Sequence, residues 1–118
     1  MKIMKFGGSS VGNAERIAGV RDIVLSAKEP GVPLVVVCSA MSGVTDMLIA
    51  MSAQASAGDL AYQDALLSLR ARHIDSARAL FANGTLDEIS AHFHREIDQL
   101  ADILRGIFLI QECTARSR

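Results

Sequence analysis

The sequence predicts an α/β fold, and three observations lead to that class. A short apolar strand over residues 2–6 is followed by a glycine turn and an amphipathic helix. A second strand, residues 33–38, contains an unbroken Leu-Val-Val-Val run, which is typical of a central parallel strand covered on both faces. Strand, helix and strand make a βαβ unit, and the chain after Gly43 has helical periodicity.

The first helix has a clear start, face and end. Asn13 is the expected N-cap, with Glu15 in the first turn, where the helix dipole favours an acid. Pro30 and Gly31 end the helix. Its apolar stripe consists of Ile17, Val20, Val24 and Ala27.

Three further helices are predicted after Gly43. Gly58 separates the first from the second, and Thr85 or Asp87 caps the third. We interpret their Met and Phe side chains as core rather than cofactor contacts, because they recur at helical spacing. The successive apolar faces are Val44, Met47, Leu48 and Met51; then Leu66, Leu69, His73, Ala77 and Leu80; then Ile89, Phe93, Ile97, Leu100, Leu104 and Ile107.

Composition limits the classes of partner. The chain has 118 residues, of which 50% are hydrophobic and 21% charged, with a net charge of −1. That balance suits a folded core and lacks the basic stripe of nucleic-acid binders, so we expect no nucleic-acid partner. No apolar run approaches the roughly 20 residues that cross a bilayer, so we expect no membrane partner. The first strand begins at once and leaves no room for a leader peptide, which predicts a cytoplasmic protein.

The cysteines and histidines do not predict a metal site. Cys38 and Cys113 form no CxxC pair and have no histidine at ligand spacing, and Cys38 is predicted to be a small buried hydrophobe. His92 and His94 point to different helix faces, and His73 is expected to pack on an apolar face. We therefore assign no metal ligands.

The glycine turn after the first strand is the strongest functional feature. A Gly-Gly pair alone usually marks only a tight strand-to-helix turn. Here it stands between a lysine in the strand and two hydroxyls, which together suit a phosphorylated ligand. Without side chains, the glycines let the backbone turn sharply and let an anion approach the amide groups. The residues are Lys5, Gly7, Gly8, Ser9 and Ser10.

A second polar turn, residues 39–46, follows the second strand. Ligands of doubly wound sheets bind outside the carboxyl ends of the strands, so neighbouring strands would bring both turns to one crevice. A dinucleotide site fits poorly, because the first turn lacks Gly-x-Gly-x-x-Gly and no acid follows the second strand. No Gly-x4-Gly-Lys-Ser/Thr segment exists, which excludes a P-loop NTPase.

Both turns resemble the signature segments of the aspartokinases. Residues 4–11, Met-Lys-Phe-Gly-Gly-Ser-Ser-Val, are similar to the first family block, with Ser9 where many members have threonine. Residues 39–46, Ser-Ala-Met-Ser-Gly-Val-Thr-Asp, are similar to the second block, which argues against other amino-acid kinases. Residues 12–17 and 104–107 favour the bifunctional aspartokinase–homoserine dehydrogenases.

The resemblance implies a fold and a reaction. The fold is a three-layer α/β/α sandwich, of which residues 1–118 would be the N-terminal portion of an amino-acid-kinase domain. The reaction transfers the γ-phosphoryl group of Mg-ATP to the side-chain carboxylate of L-aspartate, the first step of lysine, threonine and methionine biosynthesis, in an allosteric enzyme. ATP and Mg²⁺ are the implied cofactors, and a homo-oligomer is expected.

The resemblance also assigns roles to residues. Lys5 would be the cation on the transferring phosphoryl group, Gly7 and Gly8 would supply backbone donors, and Ser9 and Ser10 would add hydroxyl contacts. Ser39 and Thr45 match positions that hold aspartate. Glu112 precedes the segment that carries the family's catalytic glutamate and does not inherit that role.

Two predicted strands make only half of an α/β sandwich, so the sequence is expected to be truncated. We therefore predict that residues 1–118 alone have no kinase activity and bind nucleotide weakly or not at all. The non-enzymatic alternative is a fragment that folds by pairing its open sheet edge with another copy.

Overall fold

The computed structural model describes residues 1–111 and divides them into two compact units, residues 1–45 and residues 46–111. Glu112 and Cys113, on which two of the sequence predictions fall, lie outside the described residues. No helix within residues 1–111 is both long and apolar enough to cross a membrane.

The first unit is a βαβ unit. Strand β1 (Lys2–Phe6) leads through a 3₁₀ turn (Gly8–Val11) to helix α1 (Ala14–Ala27), and strand β2 (Leu34–Cys38) returns beside β1. The two strands are parallel and in register from Lys2 opposite Leu34 to Phe6 opposite Cys38. Parallel strands joined by a helix confirm the α/β class.

The cap and the end of α1 follow the sequence. Asn13 Oδ1 accepts a hydrogen bond of 2.9 Å from the Arg16 amide, which confirms the predicted N-cap. Beyond the helix, Gly31 has a φ of +77°, a conformation that favours glycine. Lys2 Nζ, on β1, donates to the Ala27 carbonyl oxygen at 3.1 Å and lies 2.7 Å from Glu29 Oε1. This ammonium group therefore satisfies a carbonyl at the C-terminal end of α1.

The prediction that β2 is covered on both faces is wrong for the described chain. Val35, Val36 and Val37 are 42%, 39% and 47% exposed, and Cys38 is exposed rather than buried. The physical reason is that the described sheet has only two strands, so each strand is an edge strand. An apolar run reports a strand's tendency to be buried, and the layers that would bury it are not among residues 1–111.

The second unit is helical. It contains most of α2 (Val44–Ser56), all of α3 (Ala61–Leu80) and all of α4 (Asn83–Ile110). Gly58, which separates α2 from α3 as predicted, has a φ of +74°. Asp59 Oδ1 then accepts a hydrogen bond of 2.9 Å from the Ala61 amide at the start of α3.

Helices α3 and α4 form an antiparallel hairpin. The Tyr62 and Phe108 rings are 5.9 Å apart, and the His73 and Phe93 rings are 5.4 Å apart, so early residues of α3 face late residues of α4. The residues of the predicted faces of α3 and α4 are all buried or half-buried, His73 among the half-buried ones, and the prediction missed Tyr62 and Ile74, which are also buried. The buried residues of this unit are Met51, Ala55, Tyr62, Leu69, Ile74, Ala77, Ile97 and Leu104.

The predicted cap of α4 is wrong. The helix begins at Asn83, with Ala82 at the cap position, so Thr85 and Asp87 lie inside its first turns. Asn83 has a φ of +55°, which asparagine tolerates better than most residues with a side chain. The chain therefore reverses direction directly after α3, and the new helix starts before either predicted cap.

Candidate functional site

The turn after β1 is built without left-handed backbone. Gly7 is extended, with φ −81° and ψ 177°, and the Ser10 amide donates to the Gly7 carbonyl oxygen at 3.1 Å to close the 3₁₀ turn. Among the described glycines, only Gly31, Gly43 and Gly58 have positive φ. The chain does turn sharply after β1, into the 3₁₀ turn at Gly8–Val11, but the dihedral angles of this turn do not themselves require glycine.

The two adjacent glycines differ in what surrounds them. A Cβ added at Gly7 would meet no described atom within 4 Å. A Cβ added at Gly8 would lie 3.4 Å from both the Ala40 carbonyl oxygen and Ser39 Oγ. Gly7 thus borders open space on the side where a side chain would stand, whereas Gly8 faces the loop after β2.

The loop after β2 contains a glycine with left-handed backbone, Gly43. The Ser39 amide donates to the Phe6 carbonyl oxygen at 3.1 Å, which extends the strand pairing by one residue. Ser39 Oγ donates to the Ala40 carbonyl oxygen at 2.8 Å. Gly43 has a φ of +82° directly before α2, and Thr45 is exposed in the first turn of that helix. The loop therefore presents Ser39 and Thr45 at its two ends.

The structure brings the two polar turns together. The hydrogen bond from Ser39 to Phe6 places the loop beside the start of the glycine turn, and a Cβ added at Gly8 would reach contact distance of Ser39 and Ala40. The prediction that both turns meet at the carboxyl ends of neighbouring strands is confirmed. No described contact joins Thr45 to the glycine turn.

Lys5 lies on β1, opposite Val37 of β2. It is exposed, as is Ile3, while Lys2, Met4 and Phe6 are half-buried, in the alternation expected of a strand. Within residues 1–111, Lys5 Nζ forms no hydrogen bond or ion pair. The ammonium group is therefore available to a ligand.

The two serines of the turn lie in different environments. Ser9 is exposed, and its carbonyl oxygen accepts a 3.4 Å hydrogen bond from Arg16 Nη1 of α1. Ser10 is half-buried, and its amide closes the turn. Arg16, which brings a second positive charge to this turn, was not predicted from the sequence. Its position in the first turn after Asn13, on a helix that starts directly behind the turn, is the signal that could have identified it.

The helical unit contains a separate surface cleft and no predicted site residue. Arg70, Arg105, Tyr62 and Asp102 are among the residues around this cleft of about 340 Å³. Arg70 already lies 2.6 Å from Asp98 Oδ1 and 2.7 Å from His94 Nδ1. Across the described part of the chain, no three metal-ligating side chains cluster.

Known proteins resemble this chain over most of its length. The sequence model of the amino acid kinase family matches residues 1–102. The bifunctional aspartokinase/homoserine dehydrogenase 1, chloroplastic, of Zea mays is 36% identical over 112 residues, covering 95% of this chain and 12% of the maize protein. The corresponding protein 2 of Arabidopsis thaliana is 35% identical over 107 residues, covering 91% of this chain and 12% of that protein.

A shorter match joins this chain to an enzyme named without a dehydrogenase part. The aspartate kinase of Pseudomonas fluorescens is 53% identical over 57 residues, covering 48% of this chain and 14% of the bacterial protein. The chain thus spans 12–14% of the length of these relatives. The resemblance to aspartokinases, which the two motifs indicated, is confirmed, and the chain belongs to the amino acid kinase family.

Proposed function

We propose that this chain forms part of an aspartate kinase, which transfers the γ-phosphoryl group of Mg-ATP to the side-chain carboxylate of L-aspartate and gives 4-phospho-aspartate and ADP. The observation that carries the proposal is the 3.1 Å hydrogen bond from the Ser39 amide to the Phe6 carbonyl oxygen, which places the loop that begins at Ser39 beside the glycine turn. One loop suits phosphate and the other carries the hydroxyls that match the family's aspartate-binding positions. The similarity to aspartokinases by name supports the same reaction.

Charge stabilisation in this reaction falls to Lys5. Phosphoryl transfer depends mainly on positioning and on stabilising charge around the moving group. Lys5 Nζ has no described partner that would neutralise it, so it can turn to the phosphoryl oxygens without breaking an ion pair. Arg16, which contacts the carbonyl of Ser9, adds positive potential on the helix side of the turn.

The backbone of the turn supplies hydrogen-bond donors. The first hydrogen bond of the 3₁₀ turn is donated by Ser10, so the amides of Gly8 and Ser9 precede it and have no partner within that turn. Open space beside Gly7 lets a phosphate oxygen approach the main chain, and the hydroxyls of Ser9 and Ser10 add further contacts. Mg²⁺ would arrive bound to the nucleotide, since it commonly binds through substrate phosphates together with one or two carboxylates.

Aspartate would bind at the second loop. Ser39 Oγ donates a hydrogen bond to the Ala40 carbonyl oxygen. Its lone pairs can therefore accept a hydrogen bond from the substrate's ammonium group. Thr45 lies at the N-terminal end of α2, where backbone amides and the helix dipole favour a carboxylate. In this proposal the two ends of the loop recognise the ammonium group and one of the two carboxylates of aspartate.

Further parts of the proposal concern the whole protein. We infer that the βαβ unit begins a three-layer α/β/α sandwich, that the enzyme is a homo-oligomer and that it is cytoplasmic, although the plant relatives are named as chloroplastic. We also propose that this kinase is fused to a homoserine dehydrogenase. It would act in lysine and threonine biosynthesis under allosteric control. Residues 1–118 on their own are predicted to be inactive.

The deciding experiment measures aspartate-dependent ADP release by the full native polypeptide that contains this sequence. We expect Lys5→Ala to lower kcat by at least about 10²-fold, because a charged group that stabilises the transition state is lost. Lys28→Ala, at the exposed end of α1, is the matched control and should retain full turnover. Equal turnover of wild type and Lys5→Ala would contradict the assignment, and turnover with glutamate instead of aspartate would favour another amino-acid kinase.

The open sheet supports a second candidate, a self-associating fragment. Ile3 is 67% exposed beside the exposed valines of β2, which leaves apolar surface and strand edges free to pair. Light scattering after size-exclusion chromatography of residues 1–118 tests this candidate. A stable monomer at micromolar concentration would exclude it.

A further inference from the structure

The glycine turn and the loop after β2 meet along a line of small residues. A Cβ at Gly8 would lie 3.6 Å from the Ser42 Cα, in addition to its 3.4 Å contacts with Ser39 and Ala40. A Cβ at Gly12, at the end of the 3₁₀ turn, would lie 3.5 Å from the Ser42 Cβ, and also 3.4 Å and 3.5 Å from the carbonyl oxygens of Ser9 and Gly8 in its own turn. We call this contact between Gly8, Gly12 and the loop at 39–42 the seam.

The seam leaves room for little more than a methyl group. Contacts of 3.4–3.6 Å are ordinary van der Waals distances, so a Cβ would fill the space and a branched side chain would exceed it. Gly12 has φ −71° and ψ −24°, which any residue adopts, and Gly8 has no positive φ. The small size of these two positions is thus explained by packing and not by backbone conformation.

We propose that Gly8, Gly12 and Ser42 are positioning residues that set the distance between the phosphate side and the aspartate side of the site. The proposal rests on the proposed function for its kinetic consequence. The seam ties the loop that carries Ser39 to the turn that carries the amide donors. Opening the seam would move the acceptor carboxylate away from the γ-phosphoryl group while leaving the nucleotide contacts of the turn in place.

Steady-state kinetics of the full native polypeptide test the consequence. We expect Gly12→Val to lower kcat/KM for aspartate by about 10²-fold, the loss typical of an ångström-scale misplacement, with KM for Mg-ATP near the wild-type value. Gly12→Ala should stay close to wild type because a methyl group fits. Ser42→Gly, added to Gly12→Val, should recover part of the loss by removing the loop side chain that the valine meets, while the carbonyl oxygens of Ser9 and Gly8 stay close to it.

Gly19→Val is the matched control. Gly19 lies on α1, and a Cβ there would meet nothing within 4 Å, so the same substitution should leave both KM values unchanged. Circular dichroism of each variant checks that it is folded. Equal kinetics of Gly12→Val and Gly19→Val would overturn the positioning role, as would a failure of Ser42→Gly to rescue.

A crosslink tests the seam without any assay of activity. In a Cys38→Ser, Cys113→Ser background, Gly12→Cys with Ser42→Cys should form a disulfide on mild oxidation. The 3.5 Å between the two Cβ positions matches the roughly 3.5–4.5 Å of a disulfide. Gly7→Cys with Ser42→Cys should not crosslink, because no described atom lies within 4 Å of a Cβ at Gly7. Peptide mass spectrometry of both pairs gives the result.

The two tests separate the seam from the reaction. If the wild-type polypeptide shows no aspartate-dependent turnover, the proposed function fails, and the crosslink alone decides whether the seam exists. Absence of the crosslink, or its equal formation in both cysteine pairs, overturns the proposal. A crosslink at the Gly12 pair with the predicted kinetics of Gly12→Val supports it.

Discussion

The two units of this chain differ in how they use their apolar residues. Residues 46–111 bury side chains such as Met51 and Leu104 almost completely between helices. Residues 1–45 bury only Val11 and Val44 and leave the valines of β2 exposed. Both family motifs, except for Asp46, lie in the thinly packed unit. The difference teaches that the candidate site is formed by local turns and strand pairing, while a self-contained hydrophobic core lies elsewhere in the chain.

The largest predicted effect concerns the core of the helical unit. Leu104→Ala should lower the free energy of unfolding by about 2–5 kcal/mol, since Leu104 is 1% exposed and its removal leaves a cavity. Ile103→Ala, on the neighbouring position of α4, is the control; Ile103 is 60% exposed and should cost well under half as much. Urea unfolding followed by circular dichroism measures both, and equal losses would contradict the buried core assigned to the helical unit.

A second prediction compares two glycines of the helical unit. Gly58→Ala should lower the free energy of unfolding by about 1–2 kcal/mol, because a φ of +74° strains a residue that carries a Cβ. Gly106→Ala, inside α4 with nothing within 4 Å, should raise it by roughly 0.5–1 kcal/mol. Thermal unfolding of the two variants should therefore shift in opposite directions; shifts of the same sign would contradict the backbone argument.

The third and smallest effect lies in the motif-bearing unit. Asn13→Ala should lower the free energy of unfolding by about 1 kcal/mol through loss of the hydrogen bond to the Arg16 amide. Asn13→Asp keeps an acceptor at the cap and should stay near wild type. If the alanine variant unfolds at the same urea concentration as wild type, the start of α1 does not depend on its cap.

Local features of the fold could be predicted from the sequence. Some features depend only on residue types and spacing close together in the chain, and the structure has them where the sequence predicted them. They are the Asn13 cap, the break at Gly58 and the buried positions Ile97 and Leu104. The meeting of the two polar turns also followed from the sequence, since parallel neighbouring strands bring their carboxyl ends to one edge.

Features that depend on distant neighbours could not be predicted. Cys38 is exposed because the described sheet has only two strands, and α4 begins at a left-handed Asn83, ahead of both predicted caps. The surroundings of Gly7 and Gly8 differ because of where the loop at Ser39 and Ala40 lies, and that position could not be predicted from the sequence. A glycine pair in a sequence does not say which member faces a ligand and which faces protein.

Hydrogen exchange tests the central claim, that the thinly packed unit forms the ligand site. The full native polypeptide is compared with and without Mg-ADP and L-aspartate, and exchange is followed by peptide mass spectrometry. We predict added protection in peptides covering residues 5–12 and 39–46, and unchanged exchange across residues 61–104. Protection confined to the helical unit, or none in either segment at saturating ligand, would contradict the claim.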